Sequence, residues 1–482
     1  MNLKSLVKDT AVYGLSSIVG RFLNYLLVPL HTYKIAASSG GYGMVTYVYA
    51  LTSLMLALLT FGMETTLFRF SNKDGEDADM VFGTVLRMVG TLCLAFIALV
   101  ALFLSPISAA MGFAAHPEYL MCMAVTVAFD AFQAIMFSRL RQQHRPIKFM
   151  VLKMSFIIPN VLLNLFIFTL MPEIPGLSEL FYRFDGGVGF IFFANLLCTS
   201  LVFIGFKDEL KGLGIGFDKD LAKRMLSYSW PLLILSLVGV LNQNCDKILY
   251  PHLVPGHDGQ VQLGIYGACV KIAMIMTLLT QAFRYAYEPI VFNGSRDRNS
   301  PQTLADGMKY FIIFTTLAFL AVVFYMPVLR HFINPSYWEG LGVVPVVMVA
   351  EIFMGVYFNL SFWYKLSDQT WWGAVMSTVG AAVMIAVNVI FVPKYGYWAC
   401  AWGGFAGYGV SMLMSWILGQ KKAPIPYDHR TILTFVVVTL GYYYIYTEFC
   451  SGLSLPLQLI AGTVLLLCYC YLIWRNIKSE II

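Results

Sequence analysis

The chain has 482 residues, of which 59% are hydrophobic and only 12% charged, with a net charge of +6. Soluble domains carry about 45–50% apolar and about 25% charged residues, so an ordinary soluble protein is excluded. The basic excess is spread over short connections between apolar runs, where it sets orientation in a membrane, and no nucleic-acid partner is expected.

Lipid offers no partners to backbone N–H and C=O groups, so spanning segments must be helices or a closed barrel. The apolar runs are long and do not alternate, which selects helices. A spanning helix needs about 20 mostly apolar residues. Fourteen candidate spans follow, at roughly 9–30, 42–68, 80–104, 119–138, 148–171, 186–206, 227–250, 263–288, 306–327, 341–364, 371–392, 397–419, 431–448 and 455–474. The expected fold class is therefore an all-α polytopic membrane protein. The first run carries Arg21 and Asn24 and lacks a small-residue cleavage site, so it reads as a span rather than a signal peptide. The longest polar connection, 207–226, separates spans six and seven. No extramembrane segment is long enough for an independent catalytic domain. The nine cysteines lie mostly within apolar runs and read as small buried hydrophobes.

Alternate connections hold 22 lysines and arginines against 5 in the others. This bias places both termini in the cytoplasm.

The stretches 42–68 and 266–292 are alike. Each opens with Tyr-Gly, each has a glutamate 22 positions after the tyrosine (Glu64 and Glu288), and each ends in Phe. A polar residue followed by a proline precedes both, in "NYLLVP" from Asn24 and "DKILYP" from Asp246. Read as a repeat, these make spans one to six and seven to twelve two related lobes of the same orientation. The boundaries are 1–206, a cytoplasmic linker 207–226, 227–420, and a last part 421–482 with spans thirteen and fourteen.

Five basic residues fall within the spans, Arg21, Arg87, Lys153, Lys271 and Arg284, and five acidic ones, Glu64, Asp130, Asp246, Glu288 and Glu351. Such residues face a bundle interior or a wet cavity, pair with one another, or snorkel. Lys153 is near enough to the cytoplasmic edge to snorkel. Glu64 has Arg69 close by for a rim ion pair. Arg284 and Glu288 share a helical face at i,i+4 spacing, which suits an interfacial salt bridge. Arg21, Asp130 and Glu351 lie near the middle of their spans, and Arg87 and Lys271 are intermediate. Asn24 extends the stripe of Arg21; Asn160 and Asn164 form another; Asn242 and Asp246 form a third. Interhelical hydrogen bonding accounts for these stripes structurally. The functional reading is a hydrated cleft made cationic by Arg21, Arg87, Lys271 and Arg284. The planar guanidinium fork matches phosphate. Asp130, Asp246 and Glu351 are the candidates for a coupling ion, H⁺ or Na⁺. No cofactor and no structural metal are expected.

The opening "KDTAVYGLSSIVGRFLNYLLVPL", the "GGYGMVTYVYA" entry to span two, and "LNQNCDKILYPHLV" followed by "LGIYGACVKIAMIMTLLTQAFRYAYEPIVF" carry a resemblance. The chain resembles the polysaccharide-transporter branch of the multidrug, oligosaccharidyl-lipid and polysaccharide exporter superfamily, the O-antigen, capsule and related lipid-linked oligosaccharide flippases. The resemblance implies two six-helix lobes in a V, working by alternating access in a bacterial cytoplasmic membrane. It implies a lipid-linked oligosaccharide of the undecaprenyl-diphosphate type as substrate, and polysaccharide polymerases or glycosyltransferases as partners. By position, Arg21 and Arg284 match the family's diphosphate-binding cations. Spans thirteen and fourteen, with Tyr442, Tyr443, Tyr444 and Tyr446, match helices that receive a lipid tail, although an interfacial aromatic belt explains those tyrosines equally well.

The mechanism has an independent physical basis. An isolated charge in a low-dielectric medium costs on the order of tens of kcal/mol, so the head group must be enclosed. The tail cannot leave the hydrocarbon, at about 0.8 kcal/mol per CH₂. An inside-negative potential favours outward movement of an anion by about 2.3 kcal/mol per charge per 100 mV.

Two other functions compete. A drug or toxin exporter of the same superfamily carries organic cations and calls for an acid-dominated cavity, against the five-to-five balance here. A membrane polysaccharide polymerase or ligase calls for a sizeable catalytic loop. The seven histidines form no HExxH motif and no triad, so an enzyme is not expected.

Overall fold

The computed structural model describes residues 19–20, 22–23, 25–293, 301–367 and 369–481, and the described residues form helices and no strands. Twelve of these helices are long and apolar enough to cross a membrane. The expected span 9–30 lies largely outside the described residues.

The expected span 397–419 is a helix, Tyr397–Lys422, but not one of the twelve. Its glycines dilute its hydropathy and serve packing instead. Gly403, Gly407 and Ser411 recur every fourth residue and meet Gly380, Met384 and Asn388, spaced likewise on Trp371–Tyr395. A Cβ on Gly407 would stand 2.7 Å from the carbonyl oxygen of Gly380, and one on Gly380 would stand 2.8 Å from that of Gly407. In lipid, where apolar surface gives no drive between helices, such close backbone approach is what holds a pair.

The chain forms two compact units, Met1–Gly264 and Ile265–Ile482. The boundary falls inside the His257–Asn293 helix, so the Lys219–Leu253 helix belongs with the first unit. There it packs through Trp230 against Phe61 and through His252 against Tyr47. The core of this unit joins Met63–Ser71, Ala78–Leu102 and Pro117–Gln142, with Leu67, Val85, Leu86, Ala131, Ile135 and Leu140 fully buried. Between the Gly41–Thr60 and Met63–Ser71 helices the chain breaks at Phe61 and Gly62, with φ of 51° and 67°. Positive φ is uncommon for a bulky residue and closes the preceding helix here.

The 207–226 connection is ordered. It contains a short helix, Lys207–Leu210, and a 3-10 turn, Lys211–Gly214. Glu209 is buried and takes Lys148 Nζ at 2.7 Å. Asp218 then caps the Lys219–Leu253 helix, its side chain accepting from the amides of Asp220 and Leu221 at 2.9 and 3.0 Å.

In the second unit Tyr469 helps to tie the last two helices to Pro301–Phe324. Tyr469 of Leu455–Ile481 is fully buried, and its hydroxyl lies 2.8 Å from Thr316 and 2.9 Å from Thr439, the latter on His429–Ile445. A buried hydroxyl in a membrane helix bundle needs such partners.

Candidate functional site: two charge clusters within the spans

The structure gathers five of the ten intramembrane charges into two clusters, one in each unit. In the second unit Arg284 Nε donates to Glu288 Oε1 at 2.9 Å, along one face of the His257–Asn293 helix. Lys365 Nζ approaches the same oxygen at 3.8 Å from the short Phe362–Leu366 helix. Two cations thus share one carboxylate, leaving a formal charge of +1. Arg284 also lies over the Phe358 ring, 4.9 Å from its centroid, and keeps 45% of its side chain exposed. Behind it, Thr280 and Asn359 help to line a pocket of about 10 Å³, room for a single water. Thr280 Oγ1 is buried there without a hydrogen-bond partner among the described residues. An anion would therefore meet the exposed side of Arg284 and not this recess.

In the first unit Glu64 Oε2 accepts from Arg141 Nη2 at 2.9 Å and from Ser138 Oγ at 3.1 Å, both on Pro117–Gln142. The expected partner Arg69 is five residues along its helix and turned off the face of Glu64. It lies instead over the Tyr228 ring, 4.1 Å from the centroid. Lys153 does not act as a solitary snorkelling cation. It interacts electrostatically with Asp130 and Glu64, opposed by Arg141, and its ammonium lies 4.2 Å from the Phe137 ring centroid. Asp130 accepts from Thr199 Oγ1 at 3.2 Å, and Gln133 Nε2 donates to the Thr199 carbonyl at 2.8 Å. The four charges Glu64, Arg141, Lys153 and Asp130 sum to zero.

The remaining sequence candidates are dispersed. Arg87 donates to the Leu213 carbonyl from Nη2 at 2.7 Å and from Nε at 3.2 Å, so it pins the 207–226 connection. Asn164 and Asn160 are buried; Asn164 Nδ2 donates to the Asn160 carbonyl at 2.8 Å, and Asn164 Oδ1 lies 2.9 Å from His31 Nε2. Asn242 and Asp246 are buried on Lys219–Leu253, with Lys247 Nζ 3.2 Å from Asp246. Lys271 and Glu351 are half-buried on His257–Asn293 and Val344–Leu360. Arg21 and Asn24 lie outside the described residues. Among the described residues, no group of three or more His, Cys, Asp or Glu is placed to hold a metal ion.

Sequence reasoning missed Arg141 and Lys365 because they counted only as orienting charges at span ends. A signal for them exists. Glu64 and Arg141 are 77 positions apart, and the same 77 positions separate Glu288 and Lys365.

The chain's fold is shared with solved transporters. A structure of the lipid II flippase MurJ in an inward closed conformation superposes with a TM-score of 0.72 at 14% identity, covering 98% of this chain and 100% of that one. An inward-facing multidrug resistance MATE family transporter of the MOP superfamily gives a TM-score of 0.60 at 14% identity, covering 89% and 96%. A MOP superfamily transporter from Pyrococcus furiosus, described by the reverse polarity of its binding pocket, gives 0.52 at 13% identity, covering 86% and 95%. No curated protein matches by sequence. With its helices and this fold, the chain is a multi-pass membrane protein of MurJ- and MATE-like architecture. The polysaccharide biosynthesis protein family model matches residues 6–287, more than half the chain, and the chain belongs to that family.

Proposed function

We propose that this protein translocates a lipid-diphosphate-linked oligosaccharide across a bacterial cytoplasmic membrane for surface polysaccharide synthesis. The observation that carries the reading is the second unit's cluster: among the described residues Arg284 and Lys365 share the one carboxylate Glu288, and Arg284 is partly exposed. The residual positive charge, on a planar fork of donors, suits a diphosphate. An exporter of organic cations calls for the opposite sign. One solved relative of this fold is reported with a pocket of reverse polarity and a different suggested function, so the sign of the charge is a meaningful discriminator.

In this reading two lobes rock about the bound head group, and both termini are cytoplasmic. The tail stays in lipid beside the last two helices, in 421–482. Arg21, carried over from the resemblance, supplies a second head-group cation; Arg87 and Lys271 add long-range positive charge. The drive is the membrane potential or a coupling ion, H⁺ or Na⁺, taken at Asp130, Asp246 or Glu351. An undecaprenyl carrier, an O-antigen or capsule sugar, and a polymerase or glycosyltransferase partner complete the proposal.

The test is surface polysaccharide export in cells carrying Arg284→Ala, Arg284→Lys or Arg21→Ala, each checked for normal insertion. Arg284→Ala is expected to lose most export and Arg284→Lys to keep part of it. Full export in Arg284→Ala would remove the cluster from the site.

A further inference from the structure

A larger cavity lies at one end of the second unit, remote in sequence from the Arg284 cluster. It encloses about 310 Å³, the lower end of the range for small-molecule sites. Its walls come from the ends of Pro301–Phe324 and His429–Ile445, the start of Leu455–Ile481, and the segment before Val344–Leu360. The charge bias expects this end to face away from the cytoplasm.

The cavity's lining mixes polar and apolar residues, Arg330 among the polar ones. Its Nε is buried without a hydrogen-bond partner, and no carboxylate pairs with it among the described residues. Its guanidinium is held over the Trp338 ring, 4.3 Å from the centroid. The Trp338 indole N–H donates to the Arg330 carbonyl at 2.9 Å, closing the clamp. A positioned arginine with an orphaned buried donor implies an absent acceptor. The hydroxyl of Tyr443, also on the wall, has no partner among the described residues and supplies a second donor. A π-turn, Tyr446–Cys450, continues His429–Ile445 and sets the wall beside it. Such turns often mark functional sites. Val323, Met326 and Pro345 are apolar lining residues. Close to the lining residues in sequence, Val328, Phe449 and Leu457 are exposed large hydrophobics.

An anion-seeking fork beside an apolar slot, at the end of a helix bundle, matches one kind of molecule. We infer that this cavity binds an anionic phospholipid of the surrounding bilayer, its phosphodiester on Arg330 and Tyr443 and its acyl chains along the exposed apolar rim. The observation goes beyond the transport proposal and does not depend on it, since binding is measured without transport. A phosphate-bearing substrate lipid shares the chemistry, and the experiment separates the two.

The full-length protein is purified, placed in phosphatidylcholine nanodiscs with or without phosphatidylglycerol, and read by retained lipid and by thermal unfolding. Phosphatidylglycerol is expected to be retained and to raise the unfolding temperature; undecaprenyl phosphate, as the competing probe, is expected not to displace it. Loss of the charge-assisted contact in Arg330→Ala is expected to weaken retention about tenfold, and Arg330→Lys to recover part of it. If Arg330→Ala fails to fold, Tyr443→Phe serves, with a smaller loss expected. Equal retention in wild type and variants overturns the inference. So does displacement of phosphatidylglycerol by undecaprenyl phosphate, which would make the cavity part of the substrate path.

Discussion

The Glu64 region of the first unit and the Glu288 region of the second begin from nearly the same sequence and end in different electrostatics. Both glutamates follow a Tyr-Gly entry by 22 positions, and both meet a basic residue 77 positions further on. The difference is one helical turn upstream. Arg284 precedes Glu288 by four residues, whereas Thr60 stands in that place before Glu64 and returns its hydroxyl to the Leu56 carbonyl at 2.9 Å. The backbone differs too: Phe61 and Gly62 break the helix before Glu64, while His257–Asn293 continues through Glu288. One region is thus a balanced set of charges, and the other retains a positive charge with an exposed arginine. A carboxylate in a like sequence setting can sit within a balanced charge set in one region and beside surplus positive charge in the other.

Reversing the charge of the second region breaks the comparison hardest. Arg284→Glu turns a net +1 into −1, and transport of a diphosphate lipid is expected to fall by about 100-fold or more, each lost charge-assisted bond being worth about 1.5–3 kcal/mol. Export normalised to inserted protein measures this. A packing change is next: Gly407→Val drives side-chain atoms into the Gly380 carbonyl. Overpacking costs about 1–3 kcal/mol, and thermal unfolding in detergent should register the loss. In the first region, Arg141→Ala removes the ion pair of Glu64 and leaves it the Ser138 hydroxyl. The pair is well exposed, 38% and 40%, so the expected cost is at most about 1 kcal/mol, without the transport loss of Arg284→Glu. Equal loss from Arg141→Ala and Arg284→Glu would erase the functional distinction.

An effect of similar size lies outside the spans. Asp428 caps His429–Ile445, accepting from Thr431 N at 3.0 Å, and hydrogen bonding from the Thr431 side chain, then from this amide, holds its carboxyl below the usual aspartate range. A depressed folded pKa stabilises above the unfolded value and loses that contribution as pH falls through the folded one. Asp428→Ala should cost about 1 kcal/mol near neutral pH and progressively less in acid, as unfolding at several pH values would show.

Most of the helical framework was legible from apolar run length alone, since a membrane leaves the backbone few alternatives. The Tyr397–Lys422 helix was legible only as a run; its hydropathy is low because Gly403 and Gly407 serve a partner helix. The carboxylate of each cluster was visible as a charge in an oily stretch. Its basic partner was not, because Arg141 and Lys365 sit where any orienting cation would. Arg87 shows what depth alone leaves open: its long side chain reaches back to the Leu213 carbonyl. The polar partners of Asp130, Thr199 and Lys153, depend on which helices meet, which a single sequence does not state.

The central claim is that the residual positive charge around Glu288 engages the diphosphate head of the transported lipid. The direct measurement is the flipping rate of a fluorescent lipid-diphosphate oligosaccharide in vesicles reconstituted with wild type, Arg284→Ala or Arg141→Ala. The account predicts near-background flipping for Arg284→Ala and near-wild-type flipping per folded molecule for Arg141→Ala. Wild-type flipping in Arg284→Ala, or transport of organic cations in its place, would contradict it.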